Sequence, residues 1–358
     1  MLCPYFCVKN QYATMKKFCT SWYTALMTYD ILAIGDITID DFIELNPHEA
    51  RVDRDEAGRE RLSMAFGEKV PYLRSVIVPA VGNAPNAAVA AARLGLHSAL
   101  ASNIGVDRRG KDCLETLRRE GVHTPFVTQH EHKVTNYHYV LRYGAERTIL
   151  IKHETYPYRM PALPQVPRAI YFSSVGEDAL HFHHEIAAYC AQHKDVKLTF
   201  QPGTFQLRLG FEALRDLYAT TNLFVCNVEE AQQLLDTAEK DVPALMRAIA
   251  KHGPRTVCIT DGTRGAYALD EENAAWFCPA YPDPKPPLDR TGAGDSFAST
   301  VTAMRLHGLP LHEALRYGPI NSMSVVQYIG AQEGLLTRET LEAFLKNAPE
   351  TYQVQRIG

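Results

Sequence analysis

Long apolar runs, closely paired cysteines and an excess of positive charge are all missing from this chain of 358 residues. No segment approaches the ~18–20 uninterrupted apolar residues of a membrane span, which argues against a transmembrane protein. The formal net charge of −4 argues against binding to nucleic acid through a broad basic surface. The 8 cysteines include no Cys-x-x-Cys pair, so we expect reduced thiols and a cytoplasmic protein.

Residues 1–28 differ in character from the rest of the chain. Polar residues break their apolar stretch, whereas a secretory signal requires a longer apolar segment and a small-residue cleavage site. Their cysteines lack a nearby fourth ligand for zinc. We expect a poorly ordered N-terminal extension, followed by one large domain over residues 29–350, because a chain of this length can bury a large core.

The most informative stretch is Asp-Arg-Thr-Gly-Ala-Gly-Asp-Ser-Phe, at residues 289–297. It follows a proline-rich segment, and the apolar spacing after it predicts a buried helix face, so its glycines lie in a turn that opens a helix. A helix start has unpaired backbone N–H groups and the positive end of the helix dipole. Gly292, Ala293 and Gly294 therefore predict an anion hole suited to phosphate or to the charge of phosphoryl transfer.

Asp295 lies on the first turn of that predicted helix. A carboxylate at this position can simply cap the helix, which is the structural interpretation. Beside a bound phosphate, however, the carboxylate would add negative charge where positive charge is favourable. We therefore predict that Asp295 takes a proton from an attacking hydroxyl group.

Residues 289–297 resemble the signature of the ribokinase-like (PfkB) family of carbohydrate and nucleoside kinases. Further motifs of that family follow in its order along residues 29–347. The resemblance implies a three-layer α/β/α fold with a doubly wound, mostly parallel sheet and a small β-sheet lid, contributed from about residues 41–80 and 124–151. Independently, the alternation of strand-like and helix-like segments from Ala169 onward predicts a doubly wound parallel sheet.

Asp36, Thr38 and Asp40 alternate after the first predicted strand, which places them on one side of an extended chain. In the family an aspartate at the end of the first strand binds substrate hydroxyl groups, and the resemblance implies Asp40 for that role. Solvated loop carboxylates are the alternative interpretation of this segment, and that alternative is stronger for Asp41 than for Asp40.

Residues 81–86 resemble the family's Gly-Gly-x-x-x-Asn substrate motif, at the start of a predicted helix rich in small residues. The resemblance implies that Gly82, Asn83 and Asn86 contact the sugar. Val81 replaces the first glycine of the motif, and this departure affects the tightness of the turn.

Asn227 and Glu230 follow a strand end and open a predicted helix. They match the family's Asn-x-x-Glu motif, which organises Mg²⁺ and phosphate largely through water. Magnesium prefers oxygen ligands and keeps several waters, which supports that interpretation. An asparagine with a glutamate three residues later is also a capping box, so a purely structural role is the alternative.

The remaining ATP contacts are implied by the resemblance. Thr260, Gly262 and Gly265 lie in a loop that ends a buried strand, and ligands of open α/β sheets bind beyond the carboxyl ends of strands. Asn321 is at the position where the family contacts adenine. Asp289 is implied, as in some relatives, to help place a monovalent cation such as K⁺ near the anion hole.

Three other features have competing interpretations. Residues 105–112 have the glycine and lysine spacing of a P-loop, but Asp112 replaces the Ser or Thr that holds magnesium, so we expect a structural turn. Residues 181–185 contain three histidines and a glutamate, but a helix would not bring them to one face, so we expect surface histidines. Arg147 lies in a predicted lid hairpin, where it either reaches substrate or pairs with Glu146.

These observations together predict an ATP-dependent kinase that transfers the γ-phosphoryl group to a hydroxymethyl group of a small sugar, as ribokinases and fructokinases do. A nucleoside kinase of the same fold is the alternative, and a catalytically inactive binding relative is a further one. We expect Mg²⁺ as a cofactor, a small-molecule sugar or nucleoside as the partner, no nucleic acid or membrane partner, and a homodimer formed through the lid.

Overall fold

The computed structural model describes residues 28–56, 58–144 and 146–357. The predicted N-terminal extension over residues 1–28 lies outside the described residues, except for Thr28. Among the helices that are described, none combines the length and the apolar character needed to cross a membrane.

Short, mostly apolar segments between turns form the strands. In chain order these are β1 Ile31–Ile34, β2 Thr38–Leu45, β3 Ala50–Arg54, β4 Glu60–Met64, β5 Tyr72–Val81, β6 Ser98–Gly105, β7 His123–His130, β8 Asn136–Tyr143, β9 Glu146–Leu150, β10 Ala169–Phe172, β11 Lys197–Phe200, β12 Leu223–Asn227, β13 Thr256–Thr260, β14 Ala266–Leu269, β15 Ala275–Cys278 and β16 Gln355–Arg356. Within the described residues the main sheet has the order β16-β15-β14-β13-β12-β11-β10-β1-β6-β7. Neighbours pair in parallel from β7 to β13 and antiparallel from β13 to β16, which confirms the predicted mostly parallel sheet.

Helices cover both faces of the main sheet. In chain order they are α1 Asn83–Arg93, α2 Arg108–Arg119, α3 Leu180–Gln192, α4 Thr204–Ala213, α5 Arg215–Thr220, α6 Val228–Leu235, α7 Val242–Ala250, α8 Ala293–Leu306, α9 Leu311–Leu315, α10 Gly318–Val325 and α11 Arg338–Lys346. Because side chains alternate along a strand, Ile31 and Ala33 of β1 join one apolar cluster while Leu32 and Ile34 join another. The first cluster contains residues of α1, α2 and α8 to α11, and the second contains residues of α3 to α7, so the predicted three-layer α/β/α arrangement is confirmed.

A smaller sheet in the order β5-β2-β8-β9 forms the lid, and β3 and β4 form a separate hairpin from the charge-rich segment. The predicted lid boundaries need correction. The lid begins at Thr38 rather than near residue 41, and its second segment begins at Asn136 rather than at residue 124, because β7 pairs with β6 in the main sheet. The main domain also extends past residue 350, since β16 pairs with β15.

The sheet order decides where the functional side chains meet. The parallel strands β1, β10, β11, β12 and β13 are neighbours, so their carboxyl ends lie along one edge of the sheet. Residues just beyond those ends, among them Asp36, Gln201 and Asn227, therefore face a common region below the lid.

The P-loop-like residues 105–112 and the histidine-rich residues 181–185 both have structural roles in the fold. Asp107 caps α2 by accepting a hydrogen bond from Gly110 N at 2.7 Å, and it also accepts one from Thr135 N, just before β8, at 2.9 Å. The prediction of surface histidines at 181–185 is wrong for His183, which is 1% exposed and forms a 2.6 Å hydrogen bond with the carbonyl oxygen of Ala179. Burial lowers the pKa of His183 to about 4, because the charged imidazolium would lose its solvation.

Candidate active site

Asp295 lies on the first turn of α8 and accepts three hydrogen bonds from side-chain amides. Asn83 Nδ2 donates to Oδ1 at 2.8 Å, Asn86 Nδ2 donates to Oδ2 at 2.8 Å, and Gln201 Nε2 donates to Oδ1 at 3.0 Å. Two of these donors come from α1 and the third from the end of β11. The structure therefore brings the predicted base together with two of the predicted sugar contacts.

The surroundings of Asp295 change its acidity. Burial raises the pKa of the Asp295 carboxyl, while the three amide donors and the charge of Arg147 oppose that rise. Arg147 therefore acts on the active site through its charge. A carboxylate with a raised pKa is a stronger base than an ordinary aspartate, which suits proton abstraction from a hydroxyl group.

Buried side chains hold two of the three amides in place, those of Gln201 and Asn86. Tyr171 donates its hydroxyl hydrogen bond to Gln201 Oε1, which orients Nε2 of the same amide toward Asp295. Gln332 Nε2 donates to Asn86 Oδ1 at 2.9 Å and to the carbonyl oxygen of Ala80 at 2.7 Å. Sequence reasoning missed Gln201, Tyr171 and Gln332, because none belongs to a local motif. The only available signal was the position of Gln201 just after a buried strand.

The predicted anion hole is the start of α8. Gly292 precedes the helix with φ +80°, a left-handed conformation that favours glycine, and a Cβ atom there would overlap Ala331. Asp289 fixes the preceding turn, because its carboxylate accepts hydrogen bonds from Thr291 N and Gly330 N, both at 3.0 Å. Both carboxylate oxygens of Asp289 thus accept hydrogen bonds from backbone N–H groups. A monovalent cation beside Asp289 stays a prediction.

A cavity of about 470 Å³ lies beside the start of α8. Among its lining residues are five of the predicted site residues, namely Thr260, Gly262, Gly265, Ala293 and Gly294. The cavity also contains Arg290, whose exposed guanidinium adds positive charge near the anion hole and was not predicted as a contact. This volume falls in the range typical of small-molecule sites.

The prediction that Asn321 contacts adenine needs correction. Asn321 is 0% exposed, and its side chain donates to Thr300 Oγ1 at 2.8 Å and accepts from Leu336 N at 3.0 Å. These bonds place it in the helical core rather than among the residues that line the cavity. The neighbouring Ser322 and Met323 line the cavity instead.

Asn227 and Glu230 form the reciprocal capping box at the start of α6. Asn227 N donates to Glu230 Oε2 at 2.9 Å, and Glu230 N donates to Asn227 Oδ1 at 2.8 Å. Burial raises the pKa of the Glu230 carboxyl, and the charge of Asp295 adds to that rise. The two carboxylates therefore act on one another electrostatically, and a cation bound near them would relieve that repulsion.

Asp40 lies in β2 of the lid and is 8% exposed. Its register partner in β8 is His138, whose Nδ1 is 3.3 Å from Asp40 Oδ1. The neighbouring Asp41 accepts a hydrogen bond from the Tyr137 hydroxyl at 3.1 Å.

Gly82 adopts φ +119°, and a Cβ atom there would lie 2.7 Å from the carbonyl oxygen of Asp36, so this turn requires glycine even though Val81 precedes it.

Known proteins resemble this chain in sequence and in fold. The family described as pfkB family carbohydrate kinase matches residues 52–338. The ribokinase of Bacillus subtilis (strain 168) is 27% identical over 273 residues, which cover 74% of this chain and 87% of that protein. The structure of Arabidopsis thaliana ribokinase complexed with ribose and ATP matches with a TM-score of 0.74 at 18% identity, over 89% of this chain and 99% of that one. The structure of Methanocaldococcus jannaschii nucleoside kinase matches with a TM-score of 0.70 at 15% identity, over 90% of this chain and 100% of that one.

The chain therefore has the ribokinase-like fold, and it belongs to the pfkB family of carbohydrate kinases. The family match begins at residue 52, so β1 and Asp40 lie before it.

Proposed function

We propose that this protein is an ATP-dependent kinase that phosphorylates a hydroxymethyl group of a small sugar. The observation that carries the proposal is the position of Asp295, on the first turn of α8, where α1 supplies Asn83 and Asn86 as donors to its carboxylate. This geometry joins the helix start that would bind phosphate to the residues that would bind the acceptor. An inactive binding relative would have no use for a base held in this way.

In the proposed reaction the acceptor's hydroxyl oxygen attacks the γ-phosphorus of ATP and passes its proton to Asp295. The bond from the γ-phosphorus to the leaving oxygen of ADP breaks as the new bond forms. The N–H groups of Gly292, Ala293 and Gly294, at the start of α8, would stabilise negative charge that develops on the transferred group. The cavity beside Thr260, Gly262 and Gly265 would hold the nucleotide.

The residues near Asp295 fit Mg²⁺ bound largely through water. Glu230 is the carboxylate that would face such an ion, with the amide of Asn227 beside it. Among the described residues no cluster of three or more His, Cys, Asp and Glu could hold a metal directly, and magnesium in kinases requires few protein carboxylates. When bound, Mg²⁺ would neutralise charge on the phosphates.

A nucleoside is the second candidate acceptor. Phe205 lies beside His153 with ring centroids 5.8 Å apart, and both line a cavity next to Asp36, whose Oδ2 is 3.4 Å from His153 Nδ1. An aromatic ring at that place could stack on a nucleobase. The nucleoside kinase of Methanocaldococcus jannaschii shares the fold, so the fold itself does not decide between the two acceptors.

We further propose a homodimer through the lid, because that sheet exposes large apolar side chains. They are Tyr72, Leu73, Val76, Ile77, Tyr139, Ile149 and Leu150, each at least 37% exposed. Light scattering would test this, since a monomeric mass at micromolar concentration would contradict it.

We also propose the cytoplasmic location that the cysteine pattern predicts, and the described cysteines are buried free thiols.

The acceptor is tested by incubating the purified chain with ATP, Mg²⁺ and a panel of pentoses, hexoses and nucleosides. ADP release and the mass of the phosphorylated product are measured, with the Asp295→Asn variant as the matched blank. A free sugar with the highest kcat/KM would support the proposal. A nucleoside with a much higher kcat/KM would replace the sugar by the second candidate, and no acceptor-dependent turnover at all would reject the kinase function.

A further inference from the structure

Four titratable side chains meet where the lid contacts the main sheet, and we call them the acidic–histidine quartet: Asp36, Asp40, His138 and His153. His138 Nδ1 is 3.3 Å from Asp40 Oδ1, and His153 Nδ1 is 3.4 Å from Asp36 Oδ2. The two imidazole rings lie between the carboxylates, with centroids 5.2 Å apart. Strand pairing explains one contact, since β2 and β8 run in parallel with Asp40 opposite His138.

The two carboxylates of the quartet are buried and the two histidines are half-buried, and not all of their polar atoms have a hydrogen bond. The side chains of Asp36 and Asp40 are 7% and 11% exposed, and those of His138 and His153 are 12% and 21% exposed. Within the described residues, Asp40 Oδ1, His138 Nε2 and His153 Nδ1 are buried atoms without a hydrogen-bond partner. Asp40 Oδ1 and His153 Nδ1 have only the carboxylate–imidazole contacts named above, and His138 Nε2 has no polar contact of that kind. Buried polar atoms rarely lack a hydrogen bond, so three of them at one place point to a bound ligand.

Asp36 provides the internal contrast. The hydroxyl of Tyr158 lies 2.9 Å from each oxygen of its carboxylate, so Asp36 has a partner within the protein. The unpaired atoms thus belong to the lid side of the quartet and to His153, which lies in the extended segment after β9. Asp40 already has a proposed role in binding acceptor hydroxyls, whereas neither histidine has one.

A cavity of about 270 Å³ is lined by His153, and Asp295 is not among its lining residues. Its lining includes Phe205, Glu154, Glu177 and Asp178. Lys133 pairs with Glu154 at 3.2 Å, and Arg208 pairs with Glu177 at 3.5 Å, so these two carboxylates are balanced. Asp178 and the carboxylates of the quartet give this end of the site a negative character.

Neither Arg147 nor Arg290 is among the lining residues of this cavity. Arg147 acts electrostatically on Asp295, and Arg290 lines the nucleotide cavity. An acceptor that carried a carboxylate or a phosphate at its distal end would therefore place it beside Asp36, Asp40 and Asp178, where like charges repel. Uncharged hydroxyl groups could instead donate to the carboxylates and exchange hydrogen bonds with the imidazoles, which can donate or accept.

We propose that His138 and His153 are specificity-determining residues that bind distal hydroxyl groups of an uncharged acceptor, with the 270 Å³ cavity as the space for its distal end. This inference rests on the proposed kinase function and narrows its substrate class. It excludes sugar acids and sugar phosphates as preferred acceptors. It also assigns part of acceptor recognition to His138 in β8 of the lid and to His153 in the segment after β9, both outside the family motifs of the sequence.

The first experiment compares charged and uncharged acceptors on the wild-type protein. Matched pairs are fructose with fructose 6-phosphate, and an aldohexose with its aldonic acid. We expect kcat/KM to be at least about 100-fold higher for the uncharged member of the pair. A higher value for the anionic member would overturn the inference while leaving the kinase function in place. Absence of turnover with every sugar and nucleoside would instead reject the kinase function.

The second experiment uses His138→Leu and His153→Leu, with His138→Gln as the conservative variant and His184→Gln as the surface control. Each Leu variant should raise KM for the acceptor about tenfold, with kcat and KM for ATP changed less than about threefold. His138→Gln should recover part of the loss, because an amide can still donate and accept. A purely structural role would lower kcat or the stability of the fold without raising KM for the acceptor selectively. Unchanged KM for the acceptor in both Leu variants would overturn the inference.

A third measurement observes the two histidines directly in the wild-type protein. ¹⁵N-labelled histidine in the wild-type protein gives side-chain nitrogen resonances, which the His138→Gln, His153→Leu and His184→Gln variants assign. Addition of the best uncharged acceptor without ATP should shift the resonances of His138 and His153 and leave that of His184 in place. Binding of the acceptor without those shifts would contradict the inference.

Discussion

Asn83 Nδ2 lies 2.8 Å from Oδ1 of Asp295, although 212 positions separate the two residues in the chain. The contact joins the start of α1 to the start of α8, so the residues proposed to bind the acceptor also fix the proposed base. A displacement of α1 would therefore disturb both acceptor binding and proton transfer.

Asp295→Asn should lower kcat by about 10²–10⁴-fold, because the amide keeps the shape of the side chain but cannot take a proton. KM for ATP should stay close to the wild-type value, since the N–H groups at the start of α8 are unchanged. Steady-state kinetics with ATP varied at saturating acceptor measure both quantities, with the exposed Asp195→Asn as a control. A kcat near that of the wild type would show that Asp295 is not the base.

The pH dependence of kcat/KM should have an acid limb that reports the Asp295 carboxyl. Burial raises the pKa of this group, and only the deprotonated form can act as a base. Activity should therefore be full above the raised pKa and fall as the pH decreases through it, with a midpoint above the ordinary aspartate value of about 3.9. A midpoint at or below that value, in a pH range where the protein stays folded, would contradict the assignment.

Gln201→Glu should move this acid limb to higher pH. The new carboxylate can still accept the hydrogen bond of Tyr171, but it replaces an amide donor to Asp295 with a like charge. Because the amide lowers the pKa of Asp295 in the wild type, its loss should raise that pKa further. The measurement is the pH profile of kcat/KM, and an unshifted limb would show that Gln201 does not position or tune the base.

Glu230→Gln should raise the Mg²⁺ concentration needed for half-maximal activity and leave the thermal unfolding midpoint nearly unchanged. Gln keeps an oxygen that can accept the hydrogen bond from Asn227 N, so the capping box is largely retained. It removes the charge proposed to favour the ion. Titration of activity with Mg²⁺ separates the two roles, since a residue that only caps α6 would leave the midpoint unchanged.

Asp40→Ala should raise KM for the acceptor by roughly 10–150-fold, the equivalent of losing a charged hydrogen bond of about 1.5–3 kcal/mol. KM for ATP should change little. Asp41→Ala is the matched control, because Asp41 is the next residue in β2 and accepts a hydrogen bond from Tyr137. Equal effects of both substitutions on acceptor KM would indicate a disturbed lid strand rather than a lost substrate contact.

Local sequence was sufficient wherever the chemistry depends on neighbours in the chain. The turn at 289–297 needs glycine at Gly292 for backbone reasons, and the same residues begin α8 and place Asp295 on its first turn. The capping box of Asn227 and Glu230 is likewise local, since its two bonds join residues three positions apart. The alternation of strands and helices after Ala169 predicted the parallel sheet, because side-chain periodicity follows from backbone geometry.

Tertiary structure alone decided which distant side chains converge. Gln201 reaches Asp295 because β11 ends beside α8, and His138 faces Asp40 because β8 pairs with β2 in one particular register. Asn321 and His183 were mispredicted for the same reason, since their burial depends on which elements pack over them. Periodicity determines which face of a helix or strand is apolar. The order and register of the strands determine what that face, and the residues at the end of the strand, contact. Strand order and register depend on packing between segments far apart in the chain, so local sequence does not determine them.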